Sequence, residues 1–195
     1  MLLQKLFPSL IWRINTEEKT IFLTFDDGPI PEVTPWVLNI LKEYNALATF
    51  FCIGENARKY PDLISLLEKS NHTIGNHTMY HLKGWKTSNM KYYNDIYECK
   101  KFVNSNLFRP PYGKIKLTQS WYLKKEFRII MWDVLSKDYD STLSGEECFE
   151  NVKKNTRNGS IIVFHDSLKA ENRLRIALPA TLKYFSERGY SFAAL

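Results

Sequence analysis

The chain has 195 residues, enough for one domain with a full hydrophobic core. A hydrophobic content of 44% and a charged content of 25% are ordinary globular values and exclude a disordered or fibrous chain. The net charge of +6 would favour acidic polymers, envelope surfaces or nucleic acid, but the lysines and arginines are scattered, which favours a solvated basic surface. The cysteines are three in number and far apart, so they predict no disulfide framework: Cys52, Cys99 and Cys148.

The opening stretch is apolar in places, and we expect residues 1–19 to pack on a domain formed by residues 20–195. Lys5, Pro8 and Arg13 interrupt the apolar run, which is too short to span a bilayer. It lacks a charged start and an Ala-x-Ala cleavage site, so it does not predict a signal peptide. A weak contact with a membrane surface is the alternative to packing on the domain.

Short apolar runs rich in β-branched and aromatic residues alternate with helical patterns along the whole chain. Thr34-Pro35 is typical of a helix start, and Ser144 to Glu147 matches a capping box. We predict strands at 20–24, 48–53, 73–75, 107–109, 127–132, 160–164 and 190–194, and helices from Thr34, at 61–69, 88–103 and 118–125, from Ser144, and at 174–185.

This alternation predicts an α/β fold with a parallel sheet. About seven strand–helix units in one domain favour a distorted (β/α)7 barrel, related to the TIM barrel but smaller than its eightfold form. An open, doubly wound sheet is the alternative, although the chain has no glycine-rich phosphate loop to support a nucleotide site.

Polar side chains follow five of the predicted strands, at the point where each strand ends. In a parallel barrel these ends share one rim, where such folds place catalysis. We therefore expect one site to gather Asp26, Asp27, His77, His81, Arg109, Asp133, Asp138, His165 and Asp166.

His77 and His81 are four residues apart, which on one helical turn would point both imidazoles the same way. With Asp27 they would form a site of two histidines and one carboxylate, which suits catalytic zinc and other divalent transition ions. A chance histidine pair and a solvated acidic turn are the plain alternatives for these residues.

The remaining polar residues suggest acid–base chemistry. Asp26 would be free to take a proton, and Arg109 would lower its pKa, unless Arg109 only braces its loop. His165 would protonate a leaving group, unless it is a satisfied core histidine. The amide of Tyr112 would stabilise an oxyanion.

Five motifs, at 24–29, 77–81, 109–113, 132–139 and 161–166, resemble in order those of the polysaccharide deacetylases, the NodB-homology family or carbohydrate esterase family four. The resemblance implies a distorted (β/α)7 barrel that removes acetyl groups from N-acetylglucosamine polymers or from acetylated xylan. It also implies a divalent cation, zinc first, with cobalt or nickel as alternatives.

By position, the resemblance also assigns roles to individual residues. It makes Asp26 the general base with Arg109 as its partner, and His165 the general acid tuned by Asp138. It makes Asp27, His77 and His81 the metal ligands and the Tyr112 amide an oxyanion donor. Tyr139 and Val163 stand where the family usually has Trp and Leu, so the acetyl pocket differs in volume. The residues expected to contact substrate are Tyr112, Trp132, Tyr139, Val163 and Trp85, with Tyr80 as a further stacking candidate.

We therefore expect an N-acetylglucosamine deacetylase acting on peptidoglycan or a chitin-like oligomer. The alternatives are an O-acetyl esterase on xylan or another glycan, a small-molecule amidase, and a non-catalytic glycan-binding barrel. We expect an acetylated glycan as the partner, no nucleic acid, no stable membrane insertion and a monomer. The start of the chain favours the cytoplasm, whereas the resemblance favours the cell envelope.

Overall fold

The computed structural model describes residue 7 and residues 9–195. Of the predicted N-terminal segment 1–19, residues 1–6 and residue 8 therefore lie outside the described residues. From Leu10 onward the segment lies against the domain, with Leu10 buried in a cluster that includes Phe108 and Phe127. Within the described residues, no helix is both long and apolar enough to cross a membrane.

The strands of the described chain form one eight-stranded sheet in which all strand pairs are parallel. The order is β5-β4-β3-β2-β1-β7-β6, and β8 pairs with the start of β1. The bounds are β1 Thr20–Asp26, β2 Ala48–Cys52, β3 Thr73–Asn76, β4 Leu107–Phe108, β5 Arg128–Ile129, β6 Val134–Leu135, β7 Ile161–His165 and β8 Ser191–Phe192.

Helices connect the strands and cover the outside of the sheet. Turns of 3-10 helix lie at Gly84–Lys86 and Pro111–Gly113. The helices are α1 Thr34–Glu43, α2 Gly54–Lys59, α3 Pro61–Lys69, α4 Asn89–Lys100, α5 Leu117–Leu123, α6 Gly145–Asn155 and α7 Glu171–Ser186.

The predicted distorted barrel is confirmed. It closes between β5 and β7, where the N-terminal segment bonds to both sides; we call this line of contacts the seam. Ile11 N donates to Ile129 O at 3.0 Å, and Met131 N donates to Ile11 O at 2.7 Å. Ile14 N then donates to Gly159 O at 2.9 Å, just before β7.

The side chains of β1 alternate between the hydrophobic core and the inside of the barrel. Ile21, Leu23 and Phe25 are buried in the main hydrophobic cluster, where Phe25 stacks on Phe50 with ring centroids 4.9 Å apart. Successive side chains of a strand point to opposite faces, so Thr24 and Asp26 point to the other side, into the barrel. The register pairs Asp26 with His165 of β7, which brings both to the same rim.

Two short elements were absent from the sequence prediction, and the strands predicted at 127–132 and 190–194 are each only two residues long. β6 has two residues and α2 has six, too few to give a clear periodic pattern. The predicted strand at 127–132 pairs as β5 only over Arg128–Ile129, because its partner β4 ends at Phe108 and the last ladder bond runs from Ile130 N to Phe108 O at 2.9 Å.

The predicted capping box at Ser144 is present, and it gives the first testable prediction. The Ser144 hydroxyl accepts the N–H of Glu147 at 3.1 Å, and the Glu147 carboxylate accepts the N–H of Ser144 at 2.7 Å. We expect Ser144→Ala to lower the free energy of unfolding by about 1 kcal/mol, measured by urea denaturation.

The matched control is Ser88→Ala, at the N-cap position of α4. The Ser88 side chain makes no cap hydrogen bond within the described chain, so its loss should be less than about half as large. Equal losses at the two positions would contradict the assignment of stability to the Ser144 cap.

Candidate metal and catalytic site

A cleft of about 410 Å³ opens at the carboxyl ends of the strands. Arg109 and Asp138 are fully buried and support residues that line it. Leu135 and Lys169 also line the cleft and were not predicted. The predicted residues that line it are Asp26, Asp27, His77, His81, Tyr112, Trp132, Tyr139, Val163 and His165.

Asp27, His77 and His81 bring one potential ligand atom each to within 4.8 Å of one another. Asp27 Oδ1 lies 3.3 Å from His81 Nε2 and 3.8 Å from His77 Nε2. Two imidazoles and one carboxylate with open space beside them match the donor set of a catalytic divalent metal site. These residues fit the group that the sequence predicted.

The protonation of the two histidines also suits metal binding. His77 Nδ1 lies 2.8 Å from the carbonyl oxygen of Arg109. A carbonyl only accepts, so Nδ1 carries the proton and Nε2 keeps its lone pair for a metal. Burial lowers the pKa of His77, and burial is also the main cause that lowers the pKa of His81 to about 4. Both imidazoles are therefore neutral, the form that binds metal.

The expectation that His77 and His81 share a helical turn is wrong. The chain between them is a loop in which Thr78 has φ 64° and His81 has φ 55°. Asp95 of α4 fixes this loop by accepting the N–H of Met79 at 2.7 Å. Tertiary hydrogen bonds thus bring the two imidazoles together, with ring centroids 5.1 Å apart.

Asp26 and Arg109 form a buried ion pair next to the group of Asp27, His77 and His81. Arg109 Nη1 donates to Asp26 Oδ1 and to Thr24 Oγ1, both at 2.7 Å, and Nη2 donates to Met131 O at 3.0 Å. Burial by itself raises the pKa of Asp26, but the charge and hydrogen bond of Arg109, together with the charge of His165, outweigh it and lower that pKa. Asp26 is thus held as a carboxylate, with Oδ2 4.0 Å from His77 Nε2.

His165 and Asp138 form the second polar pair of the cleft. Asp138 Oδ1 lies 2.7 Å from His165 Nδ1, and Asp138 Oδ2 accepts the backbone N–H of His165 at 2.8 Å. Burial favours the neutral imidazole, but the Asp138 charge and hydrogen bond outweigh it and raise the pKa of His165 to about 9. At neutral pH His165 therefore carries a proton that it can give away.

Asp166 is a positioning residue that sequence analysis placed at the rim without a role. It accepts the N–H of Gly28 at 3.0 Å and the hydroxyl of Thr34 at 2.6 Å, and burial raises its pKa to about 8. A Cβ on Gly28 would lie 2.0 Å from Asp166 Oδ2. The glycine thus lets Asp166 approach the turn that carries Asp27.

Asp133 does not lie at the rim, contrary to the sequence prediction. Its carboxylate accepts the N–H of Ile161 at 2.9 Å and the hydroxyl of Ser160 at 3.0 Å, at the start of β7. The short strand β6 begins immediately after Asp133, so this residue stands at the opposite end of the barrel from His165.

The predicted substrate-contact residues divide into two groups. Trp132, Tyr139 and Val163 form cleft walls, and Tyr112 stands at the mouth with 52% of its surface exposed. Trp85 is not among the residues that line the cleft, and its Nε1 donates to Ile115 O at 2.9 Å. Its contact with substrate, like that of the exposed Tyr80, stays a prediction.

The geometry can be compared with known proteins. The family model described as polysaccharide deacetylase matches residues 13–127. The chain belongs to this family. A peptidoglycan-N-acetylglucosamine deacetylase of Bacillus cereus is 37% identical to this polysaccharide deacetylase. The match covers all of the present chain and 96% of the relative. A chitooligosaccharide deacetylase of Azorhizobium caulinodans is 35% identical over 79% of the chain and 77% of the relative.

A solved crystal structure of a peptidoglycan N-acetylglucosamine deacetylase has the same fold as this polysaccharide deacetylase. The TM-score is 0.90 at 31% identity, covering 96% of this chain and 91% of the other. The predicted family, hydrolase class and barrel fold are confirmed. The family depends on metal.

The His165–Asp138 pair gives the second testable prediction. In metal-free protein the imidazole of His165 should titrate near 9, above its ordinary 6.5. The charged form therefore contributes stability that is fully present below 6.5 and is lost as the pH rises through about 9.

In Asp138→Asn the burial of His165 persists without the charge and hydrogen bond of Asp138, so the pKa of His165 should fall well below 9. An NMR titration of the imidazole nitrogens in both proteins measures this. His72, whose pKa burial lowers, serves as the internal reference because its Nδ1 accepts the N–H of Ala48, away from the cleft. An unchanged His165 titration in the variant would refute the role given to Asp138.

Proposed function

We propose that this protein is a metal-dependent hydrolase that removes N-acetyl groups from N-acetylglucosamine units of a polysaccharide, with peptidoglycan as the first candidate substrate. The observation that carries the proposal is the different environment of two adjacent carboxylates. Asp27 faces two imidazoles, whereas Asp26 is held by Arg109 and left with one oxygen toward the cleft. The names of the relatives support the substrate class.

Asp27, His77 and His81 would hold the cation, and we propose zinc, with cobalt or nickel as alternatives. When bound, a divalent cation polarises a carbonyl oxygen and lowers the pKa of a water molecule. The donor set supports this choice, because zinc prefers nitrogen ligands combined with a carboxylate and an open position.

Asp26 would act as the general base. Its pKa is held low by Arg109, so it is ionised at neutral pH and able to accept a proton. Since the hydrogen bond from Arg109 occupies Oδ1, the other oxygen is the acceptor. Arg109 thereby orients the base as well as keeping it charged.

His165 would deliver a proton to the nitrogen that leaves. His165 stands beside Asp26 on the neighbouring strand β7, and Asp138 keeps it protonated. The backbone N–H of Tyr112 would stabilise charge on the carbonyl oxygen. Leu135, Tyr139 and Val163 would surround the acetyl methyl group with an apolar wall.

Two substitutions separate metal binding from base catalysis. Asp26→Asn should retain bound metal and lose activity by a factor of about 100 or more, because the amide cannot accept the proton. His77→Ala should lose both the metal and the activity, because one of three ligands is removed. Acetate release and metal content per chain are the two measurements, and the exposed Asp62→Asn is the control.

The substrate panel should include N-acetylated peptidoglycan, chitin oligomers and acetylated xylan, each with chelator and with added zinc or cobalt. Full activity in Asp26→Asn would refute the base assignment. Acetate release from acetylated xylan alone would show that the protein is an O-acetyl esterase and would refute the proposed hydrolysis of N-acetyl groups. Glycan binding without acetate release from any of them, with metal present, would favour a non-catalytic barrel.

A further inference from the structure

The positive charge of the protein is concentrated on one part of the chain. Residues 80–125 contain ten Lys and Arg and two Asp and Glu, a net charge of +8, whereas all other residues together contribute −2. This stretch runs from the end of the loop that carries His77 and His81 through α4, the Pro110-Pro111 loop and α5. We call its exposed surface the basic flank.

The basic flank also carries exposed aromatic rings, each with a lysine close to its face. Trp121 is 60% exposed, with Lys125 Nζ 4.5 Å from its ring centre. Trp85 is 51% exposed, with Lys114 Nζ at 5.4 Å. Rings and ammonium groups thus alternate across the surface.

We propose that the basic flank is an accessory binding surface for a glycan that bears carboxylates, and that it holds such a strand as it extends from the cleft. Exposed aromatic rings pack against the C–H faces of sugars, and the neighbouring ammonium groups pair with carboxylates. This inference rests on the proposed function, because it concerns the substrate of the same cleft.

The flank is continuous with the cleft. The ring of Tyr112 lies 4.6 Å from that of His81, and Lys83 Nζ lies 4.1 Å from the Tyr112 ring centre. One loop then leads from Tyr112 to Ile115, whose carbonyl accepts the Trp85 indole N–H, and on to α5. A strand leaving the cleft past Tyr112 would therefore meet the flank.

The basic flank contains a shallow hollow, and contacts between α4 and α5 hold its shape. Tyr93 and Tyr122 stack with ring centroids 4.3 Å apart, and the Tyr93 hydroxyl donates to Thr118 O at 3.3 Å. With Leu117 and Trp121 these residues line a shallow hollow of about 480 Å³. Such a preformed surface binds with little ordering cost.

The charge of the flank is available to a ligand. Among the described residues, no carboxylate lies within ion-pair distance of Lys114, Lys124 or Lys125, whereas Lys100 and Lys101 pair with Glu126 and Glu98. A neutral chitin-like oligomer would leave these ammonium groups unused. Charge complementarity therefore favours an acidic glycan.

The test is co-sedimentation of the whole metal-free protein with N-acetylated peptidoglycan sacculi, before and after their carboxylates are converted to methylamides. The variant is Trp121→Ala combined with Lys125→Glu. We expect it to bind native sacculi about tenfold more weakly than wild type, and amidation to weaken wild-type binding by a similar factor.

The control is Leu66→Ala combined with Lys42→Glu. These residues line another surface hollow, between α1 and α3, and the pair matches the variant in charge change and in loss of an exposed apolar side chain. The control should bind as wild type does. Equal binding by wild type and the flank variant would overturn the proposal, as would retained binding to amidated sacculi.

Kinetics with a neutral N-acetylglucosamine tetramer separate this inference from the proposed function. The flank variant should hydrolyse the tetramer with unchanged kcat and KM, and show a raised KM with unchanged kcat on peptidoglycan. If wild type hydrolyses neither substrate, the proposed function fails, and the sedimentation result still decides the flank. Binding to phosphatidylglycerol vesicles that the flank variant loses, without binding to sacculi, would make the surface a membrane contact and overturn the proposal.

Discussion

The buried ion pair between Arg109 and Asp26 is the interaction on which the site depends. Arg109 has no exposed surface, so its charge is tolerated only because each part of the guanidinium has a partner. Those partners come from β1 and from the chain after β5, and Arg109 itself follows β4. The guanidinium therefore ties distant strands together inside the barrel. Losing one partner of such a pair costs about 3–5 kcal/mol, because the remaining charge stays buried.

Two adjacent residues obtain different chemistry from this arrangement. Asp26 is the last residue of β1, and its direction is fixed by the sheet. Asp27 has φ 84°, a left-handed conformation that turns its carboxylate toward His77 and His81. Asp166 stabilises the turn that makes this possible. One pleated strand end and one turn thus separate the carboxylate proposed as base from the carboxylate proposed as metal ligand by a single peptide unit.

Much of this could be predicted from sequence, and the failures have physical causes. The β1 strand, the capping box at Ser144 and the polar residues after each long strand follow from local patterns. The loop of His77 and His81 could not be predicted, because Asp95 fixes it from a helix further along the chain. Asp133 was misplaced because β6 is too short to recognise. Lys169 reaches the cleft from beyond β7, and no local signal marks it.

The seam has a consequence for how the molecule assembles and opens. β1 and β2 are neighbours in sequence, but Ile11 must meet Ile130, and Arg13 must meet Ser160, across more than a hundred residues. Loop-closure entropy makes such distant contacts late in folding and early to break. Ser160 lies at the end of β7 opposite His165, so local opening there would begin away from the cleft. Opening at the Ile11–Ile130 bridge, just after β5, would instead reach Met131, whose carbonyl accepts from Arg109.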